Sequence, residues 1–211
     1  MGRLKPGKPR RRRPDELPAT IQVRETRPGE GKAFTDLAAL AMEGHGDFDD
    51  REAMSETIDE GGPFTSRFGT GRLLFLVAEH TPTGRIVGIS SSIPPLSVLG
   101  GMERNGADPA ALGATAMAYV KLRALAVADD YRRQGIASAL LTKALAVHRE
   151  HRAFLVYGQF TAKDAALARF YRRHGFTIHA PGEPVILPGS SRQPDVGASP
   201  LHGEQMFSRP I

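Results

Sequence analysis

The chain contains no cysteine. That excludes disulfides, thiolate metal centres and a cysteine nucleophile, and it fits a reducing cytoplasm. No run is apolar for long enough to span a bilayer, and the N-terminus lacks the apolar core of a signal peptide. Neither GxxxxGK[ST] nor GxGxxG occurs, so a P-loop nucleotide site and a dinucleotide fingerprint are both unsupported. No internal repeat is present. What remains is a soluble globular composition, with 40% hydrophobic and 24% charged residues. At 211 residues the chain is long enough for one domain with an ample core.

The formal net charge of +5 is unevenly distributed. Residues 1–13, MGRLKPGKPRRRR, hold seven Lys and Arg and no acid; the remainder has 21 basic against 23 acidic residues. The folded part is therefore nearly neutral. Pro6, Pro9 and Pro14 with Gly2 and Gly7 mark residues 1–18 as a disordered basic tail, leaving residues 19–211 as the domain. A solvated tail without a dedicated partner is the simpler reading; non-specific contact with nucleic-acid phosphates is the other.

Periodicity gives the order of elements. TIQVRET (20–26) alternates as a strand, and Phe34, Leu37, Ala38, Ala41 and Met42 recur at helical spacing. A short helix is expected within 49–60, and residues 45–71 are otherwise polar and Gly-rich. RLLFLVAEH (72–80), TPTG and RIVGISSSI (85–93) form a hairpin. Residues 94–114, rich in Pro and Gly, read as a long loop. Strands follow at 117–127 and 153–160, helices at 136–151 and 163–175, and a short strand at 176–180. Residues 181–203 read as loop, with 185–187 able to pair locally, and GEQMFSRPI closes the chain as a strand. The pattern predicts a single mixed α/β sheet.

The segment DDYRRQGIASALL (129–141) leaves a hydrophobic strand and opens a helix. A helix start exposes backbone N–H groups without internal partners, and the helix dipole adds positive potential there. Gly135 lets backbone approach a ligand closely, and Ala137 is small. Arg132 and Arg133 add charge beside a diphosphate. An ordinary strand-to-helix turn is the structural alternative.

Arg132-Arg133-Gln134-Gly135-Ile136-Ala137 fits (Q/R)xxGx(G/A), and ARFYRRHGF (168–176) carries an aromatic-Tyr pair before Gly-Phe. Together, with their spacing, these segments resemble the GNAT acetyltransferase superfamily over roughly residues 115–180. The resemblance implies a GNAT-like, mostly antiparallel sheet flanked by helices and splayed between its fourth and fifth strands. It also implies acetyl-CoA, or another acyl-CoA, as co-substrate. The backbone of Leu125, Ala126 and Val127 would hold the pantetheine arm. The N–H groups of Arg133, Gln134, Gly135, Ile136 and Ala137 would hold the pyrophosphate, with Arg132 supporting the loop. Tyr171 matches the residue that protonates the departing thiolate; packing as a core aromatic is its structural alternative. Asp164 stands where the family often has an Asn on the pantetheine. A carboxylate accepts but does not donate, and the position also suits a helix N-terminal cap.

The place of a family general base on the fourth strand reads Lys121-Leu122-Arg123, without a carboxylate. Glu79, His45, Glu103 or a water chain are the alternatives. His148 and His151 lie three apart, but helix ends favour cations and no third ligand is evident, so no metal is expected. The acidic run DFDDREAMSETIDE reads as a solvated face or as an acceptor wall. The expected activity is acetyl transfer to an amine by direct attack in a ternary complex. The long loops favour a small-molecule amine over a protein, and the resembling family often forms homodimers. A non-catalytic acyl-CoA-binding or regulatory module is the other function class.

Overall fold

The computed structural model describes residues 17–41, 51–61, 71–189 and 194–211. Residues 1–16 of the basic tail and His45 lie outside the described residues. The elements run β1 (Ile21–Glu25), α1 (Gly31–Ala41), α2 (Arg51–Glu60), β2 (Leu74–His80), β3 (Arg85–Ile93), α3 (Leu96–Arg104) and α4 (Pro109–Ala118). The second half contains β4 (Tyr119–Val127), α5 (Ile136–Glu150), β5 (Leu155–Thr161), α6 (Ala165–Arg173), β6 (Thr177–Pro181), β7 (Val185–Leu187), β8 (Val196–Ala198) and β9 (Glu204–Pro210). Seven strands form one sheet in the order β1-β2-β3-β4-β5-β9-β6, antiparallel throughout except for the parallel β4–β5 pair.

Helices cover both faces of this sheet. On one face, Phe34 and Ala38 of α1 and Met54 and Ile58 of α2 pack on Phe75, Val77, Ile89, Ala124 and Ala126. On the other, Ile136, Leu140, Ala144 and Val147 of α5 pack on Leu74, Leu76, Ala78 and Val87. Residues i and i+4 on a helix share a face, which is why these spacings bury together. A third cluster joins α5 and α6 to β4, β5 and β9 through Leu122, Leu141, Phe160, Tyr171 and Phe207.

One irregularity in β4 decides where the cleft forms. Ser91 pairs with Ala124 and Ser92 with Leu122, so Arg123 is an extra residue in the ladder, a β-bulge. Strand side chains alternate, so Val120, Leu122, Ala124 and Ala126 would otherwise share one face. With the bulge, Val120 and Leu122 face α5 and α6, whereas Ala124 and Ala126 face α1 and α2. A bulge also bends its strand. Only Tyr119, Val120 and Lys121 pair with β5, opposite Leu155, Val156 and Tyr157; beyond them the strands part. The splay between the fourth and fifth strands is therefore present.

The structure corrects the reading of residues 94–114 as a loop, because α3 and α4 occupy most of it. Their prolines sit at helix starts, where a missing N–H costs nothing. Pro95 is the residue before α3, and Pro109 opens α4 behind Asp108, whose side chain accepts from Ala111 N. Leu99, Leu112 and Ala116 seal the two helices together. The fourth strand accordingly begins at Tyr119, two residues later than its sequence pattern indicates. The local pairing expected for 185–187 forms with Val196–Ala198.

His148 is not an exposed helix-end cation. It is buried under the sheet, and its Nε2 lies 2.6 Å from Ser92 Oγ. His151 instead meets Arg72 Nη1 at 2.8 Å. Burial, reinforced by the nearby Arg72 and His151, lowers the His148 pKa from 6.5 to about 4. Between those values the unfolded chain binds a proton that the folded chain does not. The linkage predicts full stability from this group above pH 6.5 and loss of about 3 kcal/mol as pH falls through 4. Thermal denaturation between pH 4 and 7 should show that slope, and His148→Gln should remove this part of it.

Candidate functional site

Where β4 and β5 part, a cleft of about 950 Å³ opens. One wall is β4 from Lys121 to Val127, with Arg132, Arg133 and the start of α5; the other comprises Gln159, Phe160, Thr161 and the cleft face of α6. Leu125, Ala126, Val127, Arg132, Arg133, Gly135, Ile136, Ala137, Asp164 and Tyr171 all line it. The structure thus brings together every residue that the resemblance assigns to the cofactor and to thiolate protonation, except the Gln134 side chain. That side chain turns back along the loop, its Nε2 at 3.3 Å from Asp130 O.

The loop entering α5 has an anion-site geometry. A 3₁₀ turn over Asp129–Tyr131 leads to two left-handed residues, Arg133 at φ 62° and Gly135 at φ 80°. Alternating left-handed backbone turns successive N–H groups toward one concavity. Gly adopts this conformation without strain, whereas Arg133 does so at a cost of about 1–2 kcal/mol. Asp residues cap α4 and α6, but α5 begins at Gly135 with no side-chain cap and no acid in its first turn. Its first N–H groups therefore face the cleft without an anion of the protein's own. Arg132 braces the loop: its Nε donates to Val127 O at 3.2 Å and its Nη2 lies 2.8 Å from Asp129 Oδ1.

Asp164 is the cap of α6. Its Oδ1 accepts from Ala166 N and Leu167 N, both at 2.9 Å. Tyr171 is 6% exposed, stacked on Phe207 at 3.8 Å and edge-on to Phe170 and Phe176. Burial raises its pKa above the usual tyrosine range, so the phenol stays protonated at neutral pH. The core-aromatic and cleft-facing readings of this residue both hold, for its ring is packed while it lines the cleft. Gly158 makes the stacking possible. A Cβ there would lie 2.4 Å from Phe207 Cζ and 2.8 Å from Leu122 O.

The proposed bases fare differently. Glu79 binds Arg24 at 2.6 Å in a partly buried cluster with Glu30, and neither it nor Glu103 lines the cleft. Among the described residues, Asp164 is the sole carboxylate of the lining. Gln159 and Glu204 carried no motif. Gln159 lines the cleft and donates Nε2 to Glu204 Oε2 at 2.7 Å, and Leu201 N donates to the same oxygen at 2.9 Å. The one available signal was an amide inside the otherwise apolar run AFLVYGQF.

A sheet parting over an uncapped helix start forms a cleft suited to an anionic ligand, and comparison with known proteins places the fold. A family model described as an acetyltransferase (GNAT) domain matches residues 71–178, and the chain belongs to that family. Solved structures share the fold at low identity. An acetyltransferase from Streptococcus agalactiae 2603 superposes with TM-score 0.59 at 13% identity, covering 92% of this chain and 99% of that one. A ribosomal-protein-alanine N-acetyltransferase from Brucella melitensis gives TM-score 0.57 at 18% identity, with 90% and 99% covered. A GNAT family acetyltransferase from Elizabethkingia anophelis with acetyl-CoA bound gives 0.53 at 13%, with 92% and 99% covered. No curated protein matches the sequence. Among the described residues no helix is long and apolar enough to cross a membrane.

Gly158→Ala should push Phe207 off Tyr171, since backbone on the other side blocks relief. The expected cost is about 1–3 kcal/mol of stability. Thermal denaturation and near-ultraviolet circular dichroism of the tyrosines would check it.

Proposed function

We propose that this protein transfers an acetyl group from acetyl-CoA to an amine by direct attack in a ternary complex. The observation that carries this reading is the parting of β4 from β5 beside the uncapped, left-handed entry to α5. The cleft residues fit acetyl-CoA. The N–H groups from Arg133 to Ala137 and the α5 dipole hold its pyrophosphate. The backbone of Leu125, Ala126 and Val127, on the strand edge that β5 has left, hydrogen-bonds the pantetheine arm. Asp164 keeps Oδ2 for an amide of that arm, its Oδ1 being occupied by the α6 cap.

Acetyl-CoA supplies an activated thioester carbonyl. The amine nitrogen forms the new bond to that carbon, the carbon–sulfur bond breaks, and the amine loses one proton to water. Tyr171 gives its proton to the leaving sulfur and regains one from water, a role that requires the protonated phenol its burial maintains. Tyr171 packs with Phe160 on one face of β5. The neighbouring Gln159 and Thr161 point to the opposite face, as does Lys121 between Val120 and Leu122. The acceptor therefore enters from the α1 side and Tyr171 acts from the α6 side. The alternative is an acyl-CoA-binding module without turnover. It is favoured by one feature, that the only described carboxylate of the lining caps a helix.

Thermal stabilisation by CoA and acetyl-CoA, then thiol release over an amine panel, separates these readings. Absence of stabilisation at millimolar CoA sinks the cofactor assignment, and stabilisation without turnover favours the binding module. Tyr171→Phe should lower kcat by about 10²-fold while CoA affinity changes less than about twofold. Unchanged kcat would remove Tyr171 from the mechanism.

A further inference from the structure

The acceptor face of the cleft has one buried carboxylate behind it. Glu204 is 5% exposed and stands at the start of β9, opposite Thr161. Its Oε2 takes Gln159 Nε2 at 2.7 Å and Leu201 N at 2.9 Å. A carboxylate oxygen accepts and does not donate, so the Gln159 amide is turned with its NH₂ toward Glu204. The Gln159 carbonyl, Oε1, is then the pole directed away from Glu204, and it accepts no hydrogen bond among the described residues. Gln159 lines the cleft on the face opposite Tyr171. The same oxygen that orients this polar group also places Leu201. That side chain lines the cleft and is 51% exposed. Across the cleft, Leu40 of α1 lines it as well, with 47% of its surface exposed. Large apolar side chains left uncovered beside a fixed hydrogen-bond acceptor match an amine flanked by an apolar group.

We infer that Gln159 and Leu201, set side by side by Glu204, form the acceptor subsite for an amine that bears an apolar substituent. This rests on the acyl-transfer reading of the cleft. Gln159 Oε1 accepts an N–H of the amine, which aims the nitrogen lone pair at the thioester. Leu201, with Leu40, covers the substituent. Glu204 is a positioning residue that acts through Gln159.

The test uses the full chain saturated with CoA, titrated calorimetrically with leucinamide and glycinamide. Leucinamide should bind about tenfold more tightly than glycinamide. Gln159→Ala should weaken both amides by about tenfold and leave CoA affinity unchanged. Leu201→Ala should erase the preference for leucinamide. In turnover, Gln159→Ala should raise the acceptor KM more than it lowers kcat. Glu204→Gln should weaken amine binding in the parent chain but not in the Gln159→Ala background. A purely structural Glu204 would weaken binding equally in both. If Glu204→Gln does not fold, the two cleft variants decide. Equal binding of the two amides, or an unchanged amine affinity in Gln159→Ala, overturns the inference. Failure of CoA itself to bind overturns the acyl-transfer reading instead.

Discussion

The parting of β4 from β5 after three paired residues is the constraint on which the rest of the site depends. A parallel pair that stays zipped offers no unpaired backbone to a ligand. Here the Arg123 bulge turns β4 over, and its small residues Ala124 and Ala126 then pack beneath α1 and α2. β5 leaves in the other direction, held by β9 along its full length from Leu155 to Thr161. The gap between them is bridged from below by α6, whose Tyr171 ring reaches it.

That geometry separates two tasks. The end proposed for the diphosphate is built from backbone: a left-handed Arg133, a left-handed Gly135 and a helix that opens without a capping side chain. The Arg132 side chain is engaged with Val127 O and Asp129, so it braces the loop. The other end is built from side chains held by the sheet. Tyr171 is locked by aromatic stacking on Phe207 over Gly158, and Gln159 is locked by Glu204. Buried groups with fixed partners keep their orientation, which is what a reaction between two bound molecules requires.

Charged groups away from the cleft serve the frame. Arg24 ties Glu30 before α1 to Glu79 on β2, fixing the entry of α1 against the sheet. Asp59 accepts from Gly29 N and Gly31 N and so joins α2 to the same corner. His148, buried and hydrogen-bonded to Ser92, links α5 to β3. Glu79 and His148, open to a catalytic or a metal reading in the sequence, each have a structural partner more than 50 residues away.

Local patterns determined the strands and helices that alternate or repeat strongly, the Gly135 turn and the two segments that mark the GNAT family. These are short-range properties: side-chain period, helix starts and a residue free to adopt positive φ. Proline misled over residues 94–114, because the same residue breaks a helix inside and begins one at its first turn. Only the tertiary structure decided the bulge at Arg123, since a ladder's register depends on the partner strand. It alone brought Gln159, Leu201 and Glu204 together across β5 and β9, 45 residues apart at their widest. It also decided that the Tyr171 ring, packed on Phe207, lines the cleft. Such relations arise from contacts between distant segments, and no local pattern encodes them.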